Sequence, residues 1–393
     1  MGNLFEKEIN RENTNSIKWD LKEELFQEED VLPMWIADMD FKSPQFALDA
    51  ISEMMTEGAL GYTYIPDSLY EAIIVWQKKH HQMDLEKENI IFSPGVIPSL
   101  GLCIQAFTQP GESVLIHDPV YPPFAGLVEA NGRKLVRSAL KIEDNHYVMD
   151  LDDMEEKIVS ENVKVFLLCH PHNPGGRVWT KEELVAVVEL CREHDVIVVS
   201  DEIHGDLVFP GVDFFSPVAL HSDYEDTVIS LTSVTKTFNL AGIKNSMLFV
   251  FNEDLKEKIE AEILKTELNA VNTFGLVATE AVLTEGDSWL EELMATLTKN
   301  RQMVADFFDT KLPEVFYMHP EATYLCWFDV SSLGIPDEEL IYHFAKVGKV
   351  GLNDGISYGP NGTQFMRVNF AAPPSLLKEG LARIETVFKA NKS

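Results

Sequence analysis

Between about residues 90 and 250, short unbroken apolar runs alternate with stretches in which apolar residues recur every three or four positions. Unbroken runs of this length fit strands buried on both faces, and the three-to-four spacing fits helices with one buried side. The runs predict strands at Ile90 to Phe92, Ser113 to His117, Val163 to Leu168, Val196 to Ser200, Thr227 to Leu231 and Met247 to Phe251. A helix is predicted from Pro94 to Phe107. Another runs to about His194, opened by a capping box at Thr180-Lys181-Glu182-Glu183. Buried strands separated by helices imply an α/β domain with a mainly parallel sheet covered by helices.

After about residue 285 the pattern changes. Helices are predicted at Trp289 to Phe308, Pro336 to Val347 and Pro374 to Ala390, with strands at Thr323 to Val330 and Gln364 to Phe370. This implies a smaller α+β domain. The expected division is a large domain over 46–285 and a small domain formed by 1–45 and 286–393.

At 393 residues the chain is long enough for both cores. Apolar residues make up 45% and charged residues 24%, the balance of a globular protein. The net charge of −32 opposes binding to nucleic acid or an anionic membrane, so neither is expected as a partner. No apolar run is long enough to cross a bilayer, and the acidic N-terminus is unlike a secretory signal. Gly2 could be read as an acylation site, but its flanking residues fit poorly. Four scattered cysteines without a CxxC pair fit a reduced, cytoplasmic protein. Cys169 with His170 and His172, and Cys191 with His194, have the residue types of a metal site. Core thiols at a strand end and on a helix are the preferred reading, and no metal is expected.

In parallel sheets ligands bind beyond the carboxyl ends of the strands. Several polar residues fall there. Lys236, in Thr232-Ser233-Val234-Thr235-Lys236-Thr237-Phe238-Asn239-Leu240-Ala241-Gly242-Ile243-Lys244, follows one strand end amid hydroxyls. A lysine so placed suits an imine to an aldehyde cofactor, and the hydroxyls and Lys244 suit its phosphate. Asp201 ends another strand and could pair with a protonated ring nitrogen, or simply cap a helix. His204 lies three residues on, placed to touch a phenolic ring oxygen. Asn173, in His170-Pro171-His172-Asn173-Pro174-Gly175-Gly176-Arg177, is either a turn residue or an amide donor to that oxygen. Ser93-Pro94-Gly95-Val96-Ile97-Pro98 runs from a strand into a helix start, where the N–H groups of Gly95, Val96 and Ile97 form an anion cradle. Tyr121 offers a face for stacking on a pyridine ring, or packs on the prolines beside it. Arg367, on a predicted small-domain strand, suits a substrate carboxylate; a structural ion pair is the alternative.

Together these segments resemble fold-type-I pyridoxal-phosphate enzymes of the class I/II aminotransferase superfamily, across nearly the whole chain. The resemblance is closest to the MalY/PatB group of cystathionine β-lyases. It is carried by Leu32-Pro33-Met34-Trp35-Ile36-Ala37-Asp38-Met39-Asp40-Phe41, by Ser200-Asp201-Glu202-Ile203-His204 and by Lys236-Thr237-Phe238-Asn239. Ordinary aminotransferases of this fold usually carry tyrosine where His204 stands, which favours the lyases.

The resemblance implies a pyridoxal 5′-phosphate enzyme that cleaves cystathionine or related cysteine thioethers by α,β-elimination; an aminotransferase is the alternative. Lys236 would hold the cofactor and move the substrate's α-proton. Asp201 would pair with the ring nitrogen, and Tyr121 would stack on the ring. Ser233, Lys244 and the Gly95, Val96 and Ile97 amides would hold the phosphate, with Thr235 beside them. Lys244 stands where the family often has arginine. Arg367, Ala37 and Asn173 would face the amino-acid substrate. Gly61-Tyr62-Thr63-Tyr64-Ile65-Pro66-Asp67 resembles the segment that reaches a neighbouring subunit's phosphate, through Tyr62 in preference to Tyr64, implying a homodimer. Trp35, Tyr324 and Tyr358 are further pocket-lining candidates. A non-catalytic regulator on this fold is disfavoured, because no basic DNA-binding segment precedes it.

Overall fold

A computed structural model describes residues 4–268 and 271–391; Gly2 lies outside the described residues. Its largest element is a seven-stranded sheet. The strands are β1 (Ile90–Ser93), β2 (Ser113–Asp118), β3 (Lys134–Ala139), β4 (Val163–Cys169), β5 (Ile197–Asp201), β6 (Val228–Thr232) and β7 (Ser246–Phe249). They lie in the order β1-β7-β6-β5-β4-β2-β3. The run β6-β5-β4-β2-β3 is parallel, and β7 is antiparallel to both its neighbours.

The unbroken apolar runs are explained by burial on both faces. Val114, Ile116, Val165, Leu167 and Val199 point into one core, whereas Leu115, Phe166, Leu168 and Val198 point into another. The edge strand β3 is absent from the expected set. Its sequence, Lys-Leu-Val-Arg-Ser-Ala, alternates half-exposed with buried positions and has no apolar run. Two reversals of direction, at β1/β7 and β7/β6, put the ends of β1, β4, β5 and β6 along one edge of the sheet. Lys236, Asp201, Asn173 and the start of helix α2 (Val96–Phe107) all emerge there. Helix α1 (Asp67–His81) precedes β1, and α3 (Lys181–Glu193) opens with the expected capping box at Thr180 and Glu183.

The C-terminal region contains the 25-residue helix α4 (Asp287–Lys311), a three-stranded antiparallel sheet and the closing helix α5 (Pro374–Ala390). That sheet has the order β8 (Leu325–Asp329), β10 (Phe365–Asn369), β9 (Asn353–Asp354). The predicted helix Pro336 to Val347 is present as Asp337–His343, continued by a wider π-type turn over Phe344–Gly348.

The segment around residues 32–40 packs on this region. Leu32 and Pro33 pair in parallel with Val350 and Gly351, and Asn369 N donates to the Met34 carbonyl at 2.9 Å. Residues 34–41 then cross towards the large sheet with no regular secondary structure. A charged cluster fixes that crossing. Asp40 is almost fully buried and accepts from Lys18 Nζ at 2.6 Å, Arg11 at 2.9 Å and Trp19 Nε1 at 2.7 Å. Lys18 itself is only 1% exposed.

Removing one partner of a buried ion pair strands the other charge away from water. Asp40→Ala is therefore expected to destabilise the protein by about 3–5 kcal/mol, measured by denaturant unfolding. A loss below about 1 kcal/mol would mean that the cluster behaves as an exposed pair.

Candidate active site

The four strand ends surround a cavity of about 210 Å³. Its walls carry Gly95, Val96, Ile97, Tyr121, Asn173, Asp201, His204, Thr235, Lys236, Lys244 and Ala37, so most of the expected residues are gathered in one place. Ser233, Arg367 and Tyr62 are not in that wall, and each stands elsewhere for a physical reason.

Lys236 sits in one helical turn, Val234–Thr237, directly after β6. Ser233 caps this turn: its Oγ accepts from Thr235 N at 3.2 Å and donates to the Asn245 carbonyl at 2.5 Å. The Ser233 hydroxyl is thus committed within the protein, and Thr235 is the hydroxyl that reaches the cavity. Thr237 donates to part-buried Asp206 at 2.7 Å. Asp206 also accepts from Trp76 Nε1 and bonds His81 Nε2, joining the lysine turn to α1. Burial lowers Lys236 to about 8, so its amine loses a proton far more readily than an exposed lysine does. Its Nζ donates to the Ala37 carbonyl at 2.5 Å.

Asp201 ends β5 between Cys169 of β4 and Leu231 of β6. Its Oδ1 accepts from Ile203 N at 3.1 Å. Burial pushes its carboxyl up to about 7, with one hydrogen bond and the Lys236 charge only partly opposing this. Among the described residues Asp201 forms no ion pair. A protonated ring nitrogen would be its cationic partner.

Asn173 is held by tight packing. At Gly176 the backbone is left-handed (φ +68°), and a Cβ there would lie 2.6 Å from Pro320 Cβ. Arg177 pins the same turn through Glu183 and Glu321, each at 2.8 Å. Asn173 Oδ1 accepts from Arg367 NH1 at 3.0 Å. With its oxygen engaged there, the amide presents its N–H donors elsewhere. His204 is buried and lowered to about 3, first by desolvation and then by the charges of Lys236 and Arg367. It is therefore a neutral imidazole. Its Nδ1 is buried without a hydrogen-bond partner, which favours the tautomer carrying the proton on Nε2.

Arg367, on β10, is 3% exposed. It donates to Asn173 Oδ1, to the Trp35 carbonyl at 2.6 Å and to Asn353 Oδ1 at 2.7 Å, and its Nε is buried without a partner. Among the described residues its recorded partners are neutral, so the structural ion pair weighed above is absent. A buried guanidinium served only by neutral acceptors is a strong candidate for binding an anion.

Helix α2 begins at the cavity and brings its unpaired first-turn N–H groups with it. Lys244, exposed and with left-handed backbone (φ +54°), lines the same cavity. Tyr62 and Tyr64 project from an irregular segment, at 111% and 82% exposure, and take no part in the cavity of a single chain. Among the described residues no group of three or more His, Cys, Asp or Glu side chains is arranged to hold a metal. His170 and His172 instead bond the Phe215 and Pro119 carbonyls.

Sequence patterns did not single out the residues that hold the site together. Asn369, Asn239, Asn353 and Asp206 act through long-range contacts with the irregular 34–41 segment, with Arg367 or with the lysine turn. The only local signal was Asn239, three residues after Lys236.

Comparison with known proteins agrees with this geometry. The sequence model of the family described as Aminotransferase class I and II matches residues 29–384. Cystathionine beta-lyase PatB of Bacillus subtilis is 40% identical over 97% of this chain and 98% of its own length. A PLP-bound putative aminotransferase from Clostridium difficile 630 superposes with a TM-score of 0.94 at 38% identity, covering 98% of this chain and 99% of its own. A PLP-bound C-S lyase from Staphylococcus hominis gives a TM-score of 0.91 at 32% identity, over 98% and 97% of the two chains. By the reach of the family match and of the PatB identity, the chain belongs to the class I and II aminotransferase family.

Proposed function

We propose that this chain is a pyridoxal 5′-phosphate-dependent carbon–sulfur β-lyase acting on L-cystathionine or a related cysteine thioether. The observation that carries this reading is one cavity in which a lysine amine, a carboxylate with no ion pair among the described residues, two neutral donors and a helix N-terminus each match a different part of that cofactor. The names borne by the relatives from Bacillus subtilis and Staphylococcus hominis support the choice of a lyase.

The residues fit the cofactor as follows. The Gly95, Val96 and Ile97 N–H groups, Thr235 and Lys244 would hold the phosphate. Tyr121 would cover the ring, Asn173 and His204 would donate to its phenolic oxygen, and Asp201 would keep its nitrogen protonated. Once bound, the cofactor supplies an aldehyde for amines and a cationic ring that draws electrons from the substrate's α-carbon.

Arg367 binds the substrate carboxylate and so orients the α-hydrogen; Ala37 lines the cavity. Lys236 Nζ removes that proton in its neutral form, which its lowered pKa makes accessible. The α-carbon electron pair forms a double bond to the β-carbon as the C–S bond breaks, and the sulfur leaves as thiolate. Addition of water completes the balance: one thioether gives one thiol, pyruvate and ammonia.

Other assignments extend this reading. A large domain over 46–285 and a small one over 1–45 and 286–393 would place Lys236 and Asp201 on one body and Arg367 on the other. Leu60, Tyr62 and Tyr64, exposed on one irregular segment, suit burial against a second copy. The enzyme would be a homodimer sharing its two sites, working in the cytoplasm.

Incubation with cystathionine and no keto acid is expected to release pyruvate and thiol in large excess over enzyme. Product limited to one equivalent, restored by adding a keto acid, would identify an aminotransferase. Lys236→Ala is expected to lose the visible absorbance of lysine-bound cofactor and to cut turnover by at least about 10³-fold; retention of both would remove Lys236 from its role.

Asp201 also gives a prediction about stability. A carboxyl raised in the fold is favoured protonated there, so its cost is absent below about pH 4 and grows as pH rises towards 7. Asp201→Asn should therefore stabilise the apoprotein by on the order of 4 kcal/mol near pH 8 and leave it unchanged near pH 4. Thermal unfolding of the two apoproteins across this range checks it. A wild type as stable as the variant at pH 8 would mean that the carboxylate is already satisfied.

A further inference from the structure

Lys236 Nζ donates to a backbone oxygen, that of Ala37, at 2.5 Å, and not to a carboxylate. The same oxygen accepts from Tyr324 Oη at 3.0 Å. A carbonyl has two lone pairs, and here the lysine and the tyrosine use both. Tyr324 is fully buried at the head of the small-domain sheet, so its hydroxyl has a fixed position. The peptide units flanking Ala37 are fixed as well: Asn369 Nδ2 donates to the Ile36 and Asp38 carbonyls, each at 2.7 Å.

A lysine that exchanges places with a substrate amine faces two opposing demands. The freed amine must stay near the α-carbon to take its proton, yet must not swing back to the cofactor. A carboxylate partner would hold it as an ammonium and consume its basicity. A carbonyl accepts one N–H and leaves the nitrogen lone pair available. The Ala37 oxygen is an acceptor of that kind.

We propose that the Ala37 carbonyl, held in place by Tyr324, is the dock that keeps the Lys236 amine poised whenever it is not joined to the cofactor. This makes Tyr324 a positioning residue. The proposal rests on the role given to Lys236 above. Other charged or titratable groups facing the amine are Asp38 from the 34–41 segment, Asp201 from the end of β5, His204 from the turn after it and Arg367 from β10. All of them persist in a Tyr324→Phe variant, which loses only one hydroxyl.

The test compares wild type with Tyr324→Phe. In the apoproteins, carbamylation of Lys236 by cyanate is followed by site-resolved mass spectrometry between about pH 6 and 10. The variant's ammonium form loses a fixed acceptor, so its titration midpoint is expected to fall by about half a pH unit or more. In the loaded enzymes kcat is expected to fall about tenfold, with KM within about twofold. An unchanged midpoint with unchanged kcat overturns the dock.

Should the variant not fold, the wild type decides. In crystals soaked with L-alanine, which has no leaving group, Nζ is expected within hydrogen-bond distance of the Ala37 oxygen. A freed Nζ pointing elsewhere overturns the proposal. Failure of the underlying role looks different: wild type would then show no visible absorbance from lysine-bound cofactor, whereas failure of the dock alone leaves that absorbance intact.

Discussion

The site depends on how eight residues without secondary structure satisfy their own backbone. From Met34 to Phe41 the chain passes over the cavity through largely buried surroundings, where an unpaired carbonyl costs about 1–3 kcal/mol. Every carbonyl from Met34 to Met39 has a donor. The donors are Asn369 N, Arg367, Asn369 Nδ2, Lys236 with Tyr324, Lys18, and Arg11 with Asn239. Several of them are themselves site residues. The segment's backbone and the active-site side chains therefore fix one another, and neither can shift without leaving a buried polar group unpaired. Arg367 shows this directly: one guanidinium orients the Asn173 amide, holds the Trp35 carbonyl and keeps its Nε free.

Electrostatics reinforce the same point. The chain carries a net charge of −32, yet its cavity contains a lysine lowered to about 8 and a histidine held neutral, and a buried arginine served by neutral groups bonds to Asn173 on its wall. Among the described residues the one carboxylate on the wall, Asp201, is raised to about 7. Each of these is a cost in the folded protein. Such costs persist where binding offsets them, since a cationic ring satisfies Asp201 and a substrate carboxylate satisfies Arg367. Agreement between the sign of each misfit and the part of the ligand proposed for it is stronger evidence than the presence of any one residue.

Most of the fold was legible because the parallel strands are buried on both faces and so read as plain apolar runs. β3 was not, because an edge strand half open to water keeps its lysine and arginine. The wall of the cavity was legible because strand ends place polar residues at intervals that a motif can capture. Ser233 shows the limit of such motifs: a hydroxyl beside the lysine is visible in sequence, but its donation to the Asn245 carbonyl is not. The asparagines that hold the 34–41 segment were invisible for the same reason. Asn369 meets Ile36 and Asn239 meets Met39 only after segments 333 and 200 residues apart have folded together.

The lysine turn carries the argument furthest. A four-residue helical turn has no stability of its own. This one is tied at its start by Ser233 to Asn245, at its last residue by Thr237 to Asp206, and just beyond its end by Asn239 to Met39 and Phe41. Asp206 is in turn fixed to α1 by Trp76 and His81, and holds its proton only below about pH 2. It therefore remains a charged anchor throughout the range in which an enzyme works. With the backbone held at three points, the freedom left at this position is the rotation of the Lys236 side chain. A lysine that must alternate between holding a cofactor and moving a proton requires a rigid base and a mobile tip, and the fold supplies both.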